Sequence, residues 1–341
     1  MKKQITRRGF LGGAAAIAAV SAIPFSSCAS VDDYAEKNAL KTPDGKPNSK
    51  FNGVQIGAIT YSFRSMVSNW DEVINACVAA GLSSIELFHV YETELGAPVN
   101  PVVRQRGDQT PLTPEEEAAR AKYEADLDAF RKDPATMDKW AAMGKKFNDA
   151  GIDIHLFKWT AGNTDEQLDY SFAAAKAMGA KGICTEISED ACKLLGPAAE
   201  RNGMYAVFHQ HAQFSQMGTD EIDRLLAISP ANRLNWDCGH YYGYGWENST
   251  KLDLIQFLDR YVDKIFTIHL KDKTSSTNET APGANQVWGQ GETPLRPFLQ
   301  HIRDNYPHLY LDIELEYQIA PWSDAVKETA KCIRYAREIL I

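Results

Sequence analysis

No two of the six cysteines form a C-x-x-C pair, and with Cys28 set aside the remaining Cys77, Cys184, Cys192, Cys238 and Cys332 are odd in number. Each lies among apolar neighbours, where a thiol behaves as a small hydrophobe. Neither a disulfide nor a cysteine-ligated zinc is therefore expected. Positive charge is also short. The chain carries 36 Lys+Arg against 45 Asp+Glu, a formal net charge of −9, and it has no basic stripe to neutralise phosphates, which argues against a nucleic-acid partner. A long apolar run is missing as well, because the Gly/Ala segment 12–22 is too short and too small-residued to span a bilayer comfortably. No break in composition divides the 341 residues into two unlike halves, so a single large domain is the expectation.

The N-terminus does carry a signal. Thr6-Arg7-Arg8-Gly9-Phe10-Leu11 is a twin-arginine pattern ahead of that weakly apolar segment, and residues 1–28 read as an export signal outside the fold. It ends in Phe25-Ser26-Ser27-Cys28, which looks like a lipoprotein cleavage box with Cys28 as the acylated residue. A plain signal peptide cut near Ala29 or Ser30 is the alternative. The expected location is periplasmic or membrane-anchored, with the membrane reached only through Cys28. Export in folded form also implies folding with reduced thiols. Residues 29–52 are polar, carry Pro43, Gly45 and Pro47, and read as a flexible tether.

From residue 53 onward, short β-rich runs alternate with amphipathic helical patterns. The strands are expected at 54–60, 84–88, 153–157, 182–187, 205–208, 233–237, 265–270 and 310–315. Helical patterns fall at 70–80, 137–150, 167–178, 190–201, 220–228, 252–261, 295–303 and 324–339, the first three stopping at Gly81, Gly151 and Gly179. Parallel strands need a helical crossover, so eight such units predict an α/β fold, a single-domain (β/α)₈ barrel. The insert 91–132 interrupts the spacing near the barrel mouth. Its end, 114–132, is a charged helical pattern that either stands in solvent or covers that mouth.

Functional residues in such barrels come from the carboxyl ends of the strands. Glu86 and His89 end the second strand, His155 and Lys158 the third, and Glu186 the fourth. His209 and His211 end the fifth, Asp237 and His240 the sixth, His269, Lys271 and Asp272 the seventh, and Glu314 and Glu316 the eighth. Singly, each such residue is more often a hydrogen-bonded or exposed side chain than a ligand. Together, carboxylates and imidazoles converging on one mouth suggest one exchangeable divalent ion of the Mn, Co, Zn or Mg type, with no organic cofactor. Glu186, Glu316, His211 and His240 are candidate bases, and Lys271 is a donor to a developing oxyanion. Trp236, Trp246 and Trp288, with Tyr241, Tyr242 and Tyr244, offer flat faces for a sugar.

The segments FHQH (208–211), LNWDCGH (234–240), IHLKD (268–272), WGQGETP (288–294) and DIELEY (312–317) carry a resemblance. From about Val54 on, the chain resembles the xylose isomerase-like TIM-barrel family of sugar isomerases and epimerases. That resemblance implies a metal held by an acidic residue on the fifth strand, Asp on the sixth, His on the seventh and Glu on the eighth. Asp237, His269 and Glu314 match. The fifth-strand position departs, because His209 stands where many members have Glu; either His209 ligates, or Glu186 from the neighbouring strand does. Acidity and the export signal argue against the DNA-repair branch of the same fold.

The implied chemistry is removal of a proton alpha to a sugar carbonyl. An exported protein meets glycosides rather than phosphorylated sugars, so a 3-keto-glycoside lyase or hydratase is the leading expectation. Isomerisation or epimerisation of an unphosphorylated keto-sugar is the runner-up. A non-catalytic carbohydrate-binding lipoprotein is the expectation from another class. The small-molecule partner is a sugar or glycoside, and oligomeric state is not legible.

Overall fold

The computed structural model describes residues 39–104, 108–244 and 251–341. The expected export signal, Cys28, the first part of the tether (29–38) and Trp246 lie outside the described residues. Eight strands are wound in chain order: β1 (Val54–Ile59), β2 (Ser84–Leu87), β3 (Asp153–Phe157), β4 (Gly182–Glu186), β5 (Tyr205–His209), β6 (Asn232–Asp237), β7 (Ile265–Leu270) and β8 (Tyr310–Ile313). Each pairs in parallel with the next, and β8 pairs with β1, so the barrel closes and leaves no edge. The (β/α)₈ expectation holds.

Alternation along each strand separates two environments. In β8, Leu311 and Ile313 are fully buried in the apolar cluster shared with the surrounding helices, while Asp312 faces the barrel interior and hydrogen-bonds His155 of β3. The eight expected helices start and stop within two residues of where the sequence places them. Trp70–Ala80 begins at Asn69, whose side chain accepts from the Glu72 amide, and ends at Gly81 with φ 88°. The cysteines Cys77, Cys184, Cys192, Cys238 and Cys332 are free and buried, and no described helix is long and apolar enough to cross a membrane.

The tether boundary needs correction. Lys50–Phe51 forms a short strand antiparallel to β1, with Phe51 opposite Val54 and Lys50 opposite Gln55. The two residues between are Asn52 (φ 47°) and Gly53 (φ 88°), an Asn-Gly pair in the left-handed conformation that a tight hairpin requires. Phe51 is fully buried, and the Ser49 hydroxyl donates to the Ile56 carbonyl at 2.6 Å. The polar composition of 29–52 hid one apolar anchor and its turn.

Pro114–Lys132 is helical as expected, with a Thr113–Glu116 capping box, three glutamates in its first turn and Arg131 and Lys132 in its last. None of its residues is buried. It is held through Arg131, which pairs with Glu92 at 2.5 Å and donates to the Ala161 carbonyl at 3.1 Å. Among the described residues no hydrogen bond or ion pair joins this helix to the side chains of the mouth. The insert docks beside the loops that follow β2 and β3.

Candidate metal and acid–base site

The barrel interior is mixed, with Leu156, Cys184 and Val207 forming a small apolar cluster of their own among its polar side chains. At its carboxyl end, one ligand atom each from His209, Asp237, His269 and Glu314 lie within 4.8 Å of one another, and all four residues are buried. His209 Nε2 is 3.5 Å from Asp237 Oδ2 and 3.9 Å from Glu314 Oε2. His269 Nδ1 is 2.8 Å from Glu314 Oε2 and 4.0 Å from Asp237 Oδ2. His209 Nε2 is buried and makes no hydrogen bond among the described residues, and Asp237 Oδ2, also buried, is met by the Lys271 ammonium at 2.8 Å. An orphaned buried nitrogen is costly, and His209 Nε2 faces three carboxylate and imidazole atoms of the types a divalent ion takes. The donor set fits such an ion.

Each of these side chains is aimed by a partner. Asp237 Oδ1 accepts from the His240 amide at 2.7 Å and caps the short helix Cys238–Gly243. That leaves Oδ2 toward the cluster, and it is the physical reason a carboxylate stands three residues before a histidine in NWDCGH. Gln210 clamps the same backbone, donating to the Asp237 carbonyl at 2.7 Å and accepting from its amide at 3.0 Å. His269 Nε2 is 2.6 Å from Glu86 Oε2, and His209 Nδ1 is 3.2 Å from Glu186 Oε2. A carboxylate behind an imidazole fixes its tautomer and turns its other nitrogen toward an ion.

These contacts redistribute the sequence candidates. His209, not Glu186, joins Asp237, His269 and Glu314. Glu186 is 45% exposed and stands behind His209, beside His211 and Lys158. Glu86, read from sequence only as a strand-end carboxylate, stands behind His269; its signal was a carboxylate between the apolar Ile85 and Leu87. His155 is not at the mouth. It lies one layer below, bonded to Asp312 and Ser84. Asp272 turns away from the mouth and accepts from the amides of Gly289, Gly291 and Thr293, which pins the WGQGETP loop. Trp236 is buried and stacks on Phe257, Trp288 and Tyr241 are buried too, and of the proposed sugar platforms Tyr244 stacks beside His240.

Lys271 joins the cluster to the rim. Its ammonium is 2.8 Å from Asp237 Oδ2, 2.9 Å from Glu314 Oε2, 2.6 Å from Glu316 Oε2 and 2.7 Å from His240 Nε2. Burial opposes its charge, but Asp237, Glu314 and Glu316 outweigh burial and raise its pKa, so it stays an ammonium. Burial also works against the charged forms of Asp237 and Glu314, and the neighbouring cations prevail, holding both well below the usual carboxylate range. Burial lowers the His240 pKa to about 3 and lowers that of His211, so both rings are neutral near pH 7. Their centroids are 4.8 Å apart.

A small residue makes the approach of Lys271 feasible. A Cβ on Gly239 would lie 2.4 Å from Lys271 Cβ and 3.2 Å from its carbonyl oxygen. Gly239→Ala is expected to push the Cys238–Gly243 helix off β7 at a cost of about 1–3 kcal/mol, read as a lower urea midpoint. An unchanged midpoint would mean that the two segments have slack the geometry does not show.

No protein-family model matches the chain. Over 158 residues it is 29% identical to the inosose dehydratase of Clostridium perfringens, which is 42% of this chain and 51% of that protein. The inosose dehydratase of Clostridium botulinum strain Alaska E43 is 31% identical over 136 residues, 36% of this chain and 44% of that protein. The chain thus spans about half the length of the curated relatives it matches. Among solved structures, a xylose isomerase domain protein of Alicyclobacillus acidocaldarius superposes with a TM-score of 0.53 at 11% identity, over 84% of this chain and 98% of that one. The fold is that of the xylose isomerase-like TIM barrels. A probable 3-DHS dehydratase of Bacillus anthracis gives 0.53 at 12% identity, over 81% and 97% of the two chains. The IolI protein, whose crystal structure holds a zinc atom, gives 0.51 at 14% identity, over 84% and 98%.

Proposed function

We propose that the chain is a divalent-metal-dependent carbohydrate lyase that removes a proton alpha to a ketone and expels the substituent on the next carbon. The observation that carries this reading is the buried His209–Asp237–His269–Glu314 cluster opening directly onto Lys271, His240 and Glu316. His209, Asp237, His269 and Glu314 would hold the ion, which supplies Lewis-acid polarisation of a carbonyl oxygen. The partial sequence relatives are dehydratases by name, and loss of water is this same elimination. That supports elimination over epimerisation.

The chain's own residues account for the proton movements. His211 is half-exposed and neutral, so it offers a base to a substrate C–H in the mouth, while burial holds His240 beside it to a pKa of about 3 and its Nε2 accepts from Lys271. Glu186, held by Lys158 and His209 to a pKa of about 2 against the effect of its burial, is a weak base and serves to orient His209. With Asp237 Oδ2 and Glu314 Oε2 taken up by an ion, the Lys271 ammonium would have protons free for the oxygen on which negative charge develops. In a 3-keto-glycoside the proton leaves C2 and its electron pair forms the C1–C2 double bond. The C1–O bond breaks, and the aglycone departs with a proton as an alcohol.

The test is incubation of metal-loaded protein with 4-nitrophenyl 3-keto-glucoside. Release of 4-nitrophenol that stops with EDTA and returns with Mn²⁺ is the expected result. A new diastereomer without release would transfer the site to an epimerase, and binding without turnover would leave a sugar-binding barrel.

We also infer that the substrate is met outside the cytoplasm. The support is the sequence Thr6-Arg7-Arg8-Gly9-Phe10-Leu11. Replacing Arg7 and Arg8 together by lysine is expected to leave the precursor in the cytoplasm, and Cys28→Ala to free the mature chain from the membrane fraction. Unchanged fractionation of both variants would overturn the export reading.

A further inference from the structure

We propose that Lys271 is a resident cation of the ligand cluster. Its ammonium holds Asp237 and Glu314 in place when no divalent ion is bound, and it weakens the grip on that ion enough to keep it exchangeable. This rests on the metal reading above.

The argument starts from charge. Asp237 and Glu314 are buried at the end of a closed barrel, with Glu316 at the rim beside them and Glu86 below. Buried carboxylates this close repel one another strongly unless a cation compensates. Lys271 is 2% exposed, and its one ammonium faces four acceptors at 2.6–2.9 Å with three protons to give. It has little freedom to leave, because its backbone and Cβ are wedged against Gly239. Glu316 and His240 hold the outer side of the same ammonium.

Two of the four prospective ligand atoms, Asp237 Oδ2 and Glu314 Oε2, are thus already shared with a fixed positive charge. An ion that takes those oxygens must do so against that charge and with donors whose electron density is partly committed. The same lysine that keeps the empty cluster from flying apart therefore lowers the affinity of the filled one.

The experiment compares wild type with Lys271→Met and Lys271→Gln, all stripped with EDTA. Each is titrated with Mn²⁺ against a chromophoric chelator and melted with and without Mn²⁺. Both variants are expected to bind Mn²⁺ at least about tenfold more tightly than wild type, since one repelling charge is removed. They should melt below wild type in EDTA and gain more on adding Mn²⁺. If the methionine variant does not fold, the glutamine variant, which keeps a donor, carries the measurement. Affinity equal to or weaker than wild type overturns the proposal while leaving the metal reading intact. A wild type that takes no Mn²⁺ beside a methionine variant that does would remove the metal reading for the native protein and, with it, the exchangeable ion, leaving Lys271 only as the cation that holds Asp237 and Glu314. Loading of neither removes both.

Discussion

Asp237→Asn is expected to lower kcat/KM for release of the aglycone by about a thousandfold or more, ~4 kcal/mol of transition-state stabilisation. It should also leave the purified protein short of stoichiometric metal. Three contacts converge on this one carboxylate. Oδ1 caps the Cys238–Gly243 helix through the His240 amide, while Oδ2 faces His209 and pairs with Lys271. An amide oriented to keep the cap turns its NH₂ toward Lys271 and the ligand cluster, where a donor is the wrong group. An amide oriented the other way loses the cap and repels the His240 N–H. Neither orientation keeps both functions. Glu86→Gln is the comparison that decides between mechanisms. Its oxygen can still accept from His269 Nε2, so the expected loss is about 10- to 100-fold, the usual effect of a group that orients a ligand without touching the ion. Metal content measured beside the rates completes the test. If Asp237→Asn loads fully and keeps activity within tenfold, the cluster is not the metal centre.

That Asp237, His269 and Glu314 stand on the rim was legible because barrel architecture converts strand ends into one rim, but only the resemblance to the xylose isomerase-like family singled them out from the other strand-end residues. Which of His209 and Glu186 joins them was not legible. The two are direct neighbours in register across β4 and β5, so they sit at the same height, and only the direction of each side chain separates a buried imidazole from a half-exposed carboxylate. Period-two reading assigns a face but carries no information about tilt. The misplacement of His155 has a related cause. Strands in a closed barrel are staggered, so depth along one strand does not give height in the barrel, and His155 lies a layer beneath the rim. Trp236 is different, because the alternation that turns Asn235 and Asp237 inward necessarily turns Trp236 out toward the helices. Its stacking on Phe257 could have been read in advance.

That lower layer supplies the second large effect, and it concerns stability. Asp312→Ala is expected to destabilise the barrel by about 2–4 kcal/mol, counting about 1–3 kcal/mol for His155 Nε2 left without a partner and about 1 kcal/mol for the cavity, while the Thr267 hydroxyl keeps the Tyr310 carbonyl at 3.1 Å. Asp312 Oδ2 lies 2.8 Å from His155 Nε2 and accepts from Thr267 Oγ1 at 3.0 Å. All three residues are fully buried, and His155 stacks flat on Tyr310, with centroids 4.3 Å apart. The other oxygen occupies the space a side chain at position 57 would need, since a Cβ on Gly57 would come within 2.2 Å of Asp312 Oδ1. Gly57 and Asp312 are therefore one packing unit. Removal of the carboxylate leaves His155 Nε2 unpartnered in a region water reaches only by opening the barrel. Asp312→Asn keeps an acceptor and should cost about 1 kcal/mol. Urea unfolding of the two variants gives the comparison. Equal, small losses would mean that the column below the cluster tolerates rearrangement and that the ligands above it are held from the rim alone. A large gap between alanine and asparagine would show that the cluster stands on a hydrogen-bonded floor, with Glu86 the step between that floor and His269.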